Sequence, residues 1–233
     1  MNLLLDPIKT DMHLNDIQVS LLAGAGFAVF YVLMGIPLGR LSDSKSRVTL
    51  IAGGMAVWSI MTSFCGLTKN YLQLMLARMG VGVGEAALSP SAYSMLADLF
   101  PRKLLATAIG IYSSGIYIGA GLAYIVGGGL LKYFEAHGTY SFPIIGQVFS
   151  WQMIFFLFGL PGLLIALVML WVKEPARTYT HNRTSLKDFF QFLKTDGRPF
   201  LWLCAGGAVF NIAVYATGVW IPSFLGRVHL MPL

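Results

Sequence analysis

Six long apolar runs, separated by short charged stretches, dominate the chain. They cover approximately Val19 to Leu38, Val48 to Leu67, Tyr71 to Leu99, Leu104 to Leu131, Trp151 to Val172 and Pro199 to Leu225. A hydrocarbon layer about 30 Å thick is crossed by about 20 apolar residues in helix, so each run predicts one transmembrane helix. The expected fold class is therefore an all-α integral membrane protein with about six membrane helices. The third and fourth runs are longer than a crossing needs, and tilt or extension past the bilayer accommodates the excess. Glycine and proline recur inside the runs, at Gly53-Gly54, Gly80, Gly82, Gly84, Pro90 and Gly127-Gly128-Gly129. In water they would weaken a helix by about 1 kcal/mol for glycine and about 3 for proline, but between membrane helices they let backbones approach. Gly115, Gly119 and Gly121 form a small-residue strip on the fourth run and predict a helix-packing face.

Composition narrows the class. Of 233 residues, 56% are hydrophobic and 11% charged, with a mean hydropathy of +0.70. A soluble domain carries about 25% charged residues, so a soluble globule is excluded. The net charge of +6 is not a nucleic-acid footprint, because all but one of the sixteen Lys and Arg cluster between the apolar runs. Connections on one side hold eleven of them, from Arg40, Lys45 and Arg47 through Arg102 and Lys103 to Arg198, and those on the other side hold four. The richer side is expected to be cytoplasmic, which places Met1 outside and predicts a multi-pass protein of the plasma (inner) membrane. It also removes Asn182-Arg183-Thr184 as a glycosylation acceptor.

Cys65 and Cys204 lie within apolar runs, lack partners at metal-ligand spacing, and are expected to be small buried hydrophobes. No metal or cofactor is expected. Met1 to Leu5 is too short for the apolar core of a signal peptide. In the longest polar connection, Leu186, Phe189, Phe190 and Leu193 recur at helical spacing between Ser185 and Lys194. That segment reads either as an amphipathic helix on the inner membrane surface or as an ordinary linker helix.

Arg78 and Glu85 are the two charged residues deep inside an apolar run. A charge at the bilayer centre costs about 2.5 to 3.5 kcal/mol on insertion scales, which points to use. Seven residues make two helical turns, so both face the same way, together with Gly82 and Ser89. If the helix enters from outside near Tyr71, Arg78 lies about 10 Å along it and Glu85 about 21 Å, close to the midplane. A carboxylate there, balanced between desolvation and a nearby cation, can load and release a proton. A buried ion pair that only fixes packing is the other reading. His13, His137, His181 and His229 all fall in connections, and no His-Glu-x-x-His or Gly-x-Ser-x-Gly string occurs, so an enzyme is not expected.

The segment Gly39-Arg40-Leu41-Ser42-Asp43-Ser44-Lys45-Ser46-Arg47 resembles the Gly-x-x-x-Asp-Arg-x-Gly-Arg loop of the major facilitator superfamily. Gly39, Asp43 and Arg47 match; Ser44 and Ser46 stand where the pattern has a basic residue and glycine. Arg78-x-x-x-Gly82-x-Gly84-Glu85 with Ser89-Pro90, Asp98-Leu99-Phe100-Pro101, Glu174-Pro175-x-Arg177 and Trp220-x-Pro222-x-Phe224-Leu225-x-Arg227 follow in order and are similar to the spinster-like branch. The resemblance implies that the runs correspond to the family's second to seventh helices. Residues 1–173 would then be the N-terminal half without its first helix, 174–198 the cytoplasmic central loop, and 199–233 the first helix of the second half.

It further implies a gating loop at Gly39, Asp43 and Arg47, with the Asp near a helix N-terminus. Arg78 and Glu85 would serve substrate binding and proton coupling, and the cargo would be a small organic or amphiphilic anion such as a lysophospholipid. The start at Met1 to Leu5 and the ending Leu230-Met231-Pro232-Leu233 fit a truncated reading frame, so the missing helices or another chain are expected to be needed for a complete pathway. A membrane scaffold derived from a transporter, without turnover, is the alternative. The other expected partners are protons, membrane lipid and a small organic or lipid-like substrate, and no nucleic acid is expected.

Overall fold

The computed structural model describes residues 1–138, 140–142, 146–177 and 186–229. They fall into two compact units, one running from Leu3 to Ala176 and the other starting at Arg177. The first unit opens with a short helix, Leu5–Asp11 (α1), followed by Asp16–Ser20 (α2), a π-helical turn at Leu21–Ala25 and Gly26–Ser42 (α3). The span from Asp16 to Ser42 is continuous helix. Arg47–Cys65 (α4), Tyr71–Glu85 (α5), Leu88–Leu99 (α6), Arg102–His137 (α7) and Ser150–Met169 (α8) complete it, with an antiparallel hairpin between α7 and α8. There Tyr140–Phe142 (β1) pairs with Gly146–Val148 (β2), Tyr140 opposite Val148, an element absent from the all-helical expectation. The second unit contains Leu186–Thr195 (α9) and Arg198–His229 (α10).

Five helices among the described residues are long and apolar enough to cross a membrane: Asp16–Ser42, α4, α7, α8 and the part of α10 from Arg198 to Ile221. The sixth expected crossing, Tyr71 to Leu99, is two helices joined at Ala86-Ala87. Pro90 explains the break. A proline removes the hydrogen bond to the carbonyl four residues back and its ring collides with that carbonyl, yet it is tolerated in a helix's first turn. Pro90 is the third residue of α6, so α5 ends before it, with the Ala86 amide closing back onto the Gly82 carbonyl at 3.1 Å.

Close approach at glycines organises the first unit around α4. A Cβ on Gly54 of α4 would lie 2.6 Å from the Gly84 carbonyl oxygen of α5, and one on Gly84 would lie 2.7 Å from the Gly54 oxygen. On the opposite flank, a Cβ on Gly159 of α8 would lie 2.8 Å from the Ser63 amide. Val48, Ile51 and Met95 then make an apolar cluster backed by Met55, Leu88 and Met169, which ties α4 to α6 and α8.

At the other end of α4, the Gln152 side chain of α8 donates to the Thr68 carbonyl at 2.9 Å. The Trp151 indole donates to Asp11 at 3.1 Å and anchors α1. The helix α1 had no counterpart in the apolar pattern, although Leu4, Leu5 and Ile8 are buried.

Gly115, Gly119 and Gly121 face open space among the described residues, with nothing within 4 Å of where a Cβ would sit, because α7 buries residues at Ala108, Gly127 and Phe134 and leaves the stretch between open. Cys65 is buried as expected, but Cys204 is exposed on α10. The Asn182-Arg183-Thr184 pattern lies outside the described residues.

The two glycine strips should respond differently to one methyl group. Gly84→Ala is expected to cost about 1–3 kcal/mol by overpacking, whereas Gly115→Ala is expected to stay within about 0.5 kcal/mol of the parent. Denaturant titration in detergent, followed by intrinsic fluorescence, measures both. Equal stability of the two variants would refute the α4–α5 contact as the organising one.

Candidate functional site

Two clusters of polar side chains lie within the first unit, and the expected site residues divide between them. The first follows one face of α5 and continues into α6. Gly82 is pressed against α3, where a Cβ would lie 2.7 Å from the Phe27 carbonyl oxygen. That contact turns the face carrying Arg78 toward α3, and the guanidinium sits over the Phe27 ring, 5.3 Å from its centroid. Phe27 stacks on Tyr31 at 5.7 Å, and the Tyr31 hydroxyl meets the Ser89 hydroxyl at 3.4 Å. Ser89 also hydrogen-bonds Tyr112 of α7, next to Glu85, Tyr31 and Tyr93. Tyr93 and Tyr112 meet edge to face at 5.4 Å.

Glu85 and Arg78 are both partly buried and interact electrostatically. The arrangement is a stripe from a cation, across two aromatic rings, toward a carboxylate that interacts electrostatically with Tyr112. Chemically it offers an anion contact at one end, an apolar wall, and an ionisable group at the other. Ser89 was legible in the sequence as a member of this face. The tyrosines were visible only as aromatic residues in apolar runs, with no pattern to say which would converge on Glu85.

The second cluster surrounds Arg47, whose side chain is 0% exposed. It is the first residue of α4, an end whose free amides repel a cation by the helix dipole. Two carboxylates offset that. Its Nη1 pairs with Asp98 in the last turn of α6 and donates to Ser94 Oγ at 3.0 Å. Its Nε donates to Glu174 Oε1 at 3.1 Å and its Nη2 to the Pro175 carbonyl at 2.8 Å. Glu174 in turn caps α4, accepting from the Arg47 amide at 2.9 Å and from the Ser46 hydroxyl. Asp98, an anion at a helix C-terminus, is unfavourable by itself in the same way. The pair settles two helix ends at once.

Of the gating-loop residues, Arg47 is thus a buried hub. Gly39 lies beside α6, a Cβ there falling 3.8 Å from Pro90 Cβ. Asp43 is exposed at the C-cap of α3, and the carboxylate seated on the α4 N-terminus belongs to Glu174. Ser46, which departs from the resembled pattern, is the α4 N-cap, accepting from the Thr49 amide at 3.3 Å. Asp98 and Glu174 had been noticed only as parts of short matches. Neither spacing nor hydropathy could pair them with Arg47, from which they stand 51 and 127 residues away.

Burial pushes the Glu174 carboxyl up, but the hydrogen bonds from Ser46 and from the Arg47 amide and guanidinium, with that cation's charge, outweigh it and hold the group below its ordinary value of 4.5. A carboxyl depressed by folding adds stability that is complete above the unfolded value and is lost as pH falls through the folded one. Acidification below about 4.5 is therefore expected to loosen the Arg47 cluster, and Glu174→Gln to flatten that acid limb in a pH series of thermal melts. Asp98→Asn should cost about 3–5 kcal/mol, the usual penalty for removing one partner of a buried pair. A melting temperature unchanged by Asp98→Asn would refute the pairing.

Comparison with known proteins gives a consistent picture. The Major Facilitator Superfamily model matches residues 1–232. An MFS-type efflux pump of Mycolicibacterium smegmatis is 28% identical over all of this chain and 51% of its own length. The cis,cis-muconate transport protein of Acinetobacter baylyi is 25% identical over 95% of this chain and 52% of its own. Among solved structures, a bacterial homologue of the human lysosomal transporter Spinster, inward-facing and unoccupied, superposes with a TM-score of 0.81 at 35% identity, over 99% of this chain and 52% of that one. The chain spans about half the length of the curated relatives it matches.

Proposed function

The chain belongs to the Major Facilitator Superfamily and is an integral, multi-pass membrane protein, and we propose that it supplies one half of a secondary active transporter that moves a small organic or amphiphilic anion. The relatives are transporters rather than enzymes. The observation that carries the reading is the stripe from Arg78 to Glu85, ending in a carboxylate at the joint between α5 and α6. Arg78 contacts the anionic end of the cargo, the Phe27 and Tyr31 rings meet its apolar body, and Glu85 carries the coupled proton. The anion assignment also draws on the name of the muconate transport protein, whose cargo is a dicarboxylate.

In this reading the remaining helices of the pathway come from outside residues 1–233. Residues 1–173 act as one half, 174–198 as the connecting segment on the cytoplasmic side, and 199–233 as the start of the other half. The Arg47 cluster is the inner latch: it closes the ends of α4 and α6 and the segment after α8 upon each other, and alternating access opens and closes around it.

Uptake of an amphiphilic anion into liposomes, driven by an imposed proton gradient, tests this. The chain and its Glu85→Gln variant are compared, each alone and each co-reconstituted with the C-terminal helices of a full-length relative. Gradient-driven uptake is expected only in the combined protein and only with the carboxylate. Equal uptake by the Glu85→Gln protein would remove the coupling role and leave Glu85 as a packing residue. Tight binding of the anion without uptake in any combination would favour the scaffold instead.

A further inference from the structure

The helix α9, Leu186–Thr195, is ten residues long, below the roughly 12–15 at which an isolated helix becomes even marginal in water. Its side chains are nevertheless sharply sorted. At about 100° per residue, Phe192, Phe189, Leu193 and Phe190 fill one continuous arc of about 160°, and Lys194, Gln191, Thr195 and Asp188 occupy the rest. The apolar arc is not packed away. Phe189, Phe190 and Phe192 are all exposed, Phe190 by 58%.

The connection to the next helix fixes where this face lies. A Cβ on Gly197 would lie 2.5 Å from the Leu193 Cα and 2.6 Å from its carbonyl oxygen, so the chain folds back too tightly for any other residue. The Asp196 amide closes onto the Phe192 carbonyl at 2.8 Å, and the Leu201 amide onto Gly197 at 2.8 Å. α10 begins at the very next residue, Arg198, and is apolar enough to cross a membrane as far as Ile221. A rigid turn therefore holds α9 at the end of a membrane span, where hydrocarbon gives way to headgroups. Deeper placement would strand Asp188 and Lys194 in hydrocarbon, and placement in water would strand three phenylalanines.

We propose that α9 lies in the bilayer interface as a membrane anchor, with Phe189, Phe190, Phe192 and Leu193 in the acyl boundary and Asp188, Gln191 and Lys194 toward water. The occupant of the apolar face is lipid, because the face is continuous along the chain with a helix long and apolar enough to cross a bilayer, and because such an amphipathic segment binds the interface through its buried apolar area. Lys194, at the edge of the arc, reaches the headgroup layer while its stem covers hydrocarbon. The anchor sets the depth at which the α10 span starts.

Nitroxide accessibility in the full chain, reconstituted into phosphatidylcholine liposomes, decides the matter. With Cys204→Ala as background and Cys65 buried, labels are placed singly through Asp188→Cys, Phe189→Cys, Phe190→Cys and Gln191→Cys, and relaxation by oxygen and by a water-soluble nickel chelate is compared. The oxygen-to-nickel ratio is expected to be several-fold higher at 189 and 190 than at 188 and 191. Equal, nickel-dominated ratios at all four positions would overturn the proposal in favour of a helix in water. Labels at 189 and 190 shielded from both reagents would overturn it in favour of a protein contact. Two positions on each face keep the result independent of any one lost phenylalanine.

Discussion

Hydrocarbon supplies no hydrogen bonds, so every backbone group and every charge placed in it must find its partner within the protein. The first unit meets that requirement with very few polar side chains, and their scarcity dictates its form. Glycines bring α4 against α5 on one flank and against α8 on the other, close enough for backbone to meet backbone. Where the helices emerge, the same few groups serve twice. Arg47 neutralises Asp98 at one helix end while Glu174, its other partner, caps the end from which Arg47 itself starts. Gln152 closes its own helix start by accepting from the Phe149 amide and also donates across to Thr68.

The interior stripe departs from this economy. Arg78 and Glu85 stand two turns apart on one helix, and the guanidinium faces an aromatic ring while the carboxylate interacts with Tyr112. Packing alone would be served by apolar residues at both positions, at lower cost in a membrane. A polar stripe inside an apolar bundle is consistent with a surface that meets a transported solute, and it lies on α5, which glycine contacts hold against α4.

What could be read from the sequence followed from local rules, and what could not followed from their limits. Apolar run length located the membrane helices within a few residues, and the isolation of Arg78 and Glu85 in such a run marked the stripe. Periodicity places residues on a face but does not say what stands opposite. Gly84 and Gly115 look alike in the sequence, yet one meets a neighbouring backbone and the other open space. Pro90 was visible, but whether it kinks a helix or ends it depends on the capping of Ala86, a matter of three-dimensional closure. The partners of Arg47 come from distant segments, so only folding could join them. Glu174, which caps α4, likewise comes from 127 residues away, beyond the end of α8.

The joint at Ala86-Ala87 has a mechanical consequence. α6 starts at this joint, and Asp98 lies about 16 Å along it at 1.5 Å per residue. A swing of about 5° would move Ser89, beside the joint, by only a few tenths of an ångström, but it would carry the Asp98 end through about 1.4 Å by the same rise per residue. That is enough to part a hydrogen-bonded carboxylate from its guanidinium. A pivot of α6 at this joint would therefore displace the Arg47–Asp98 pair several times further than it displaces Ser89.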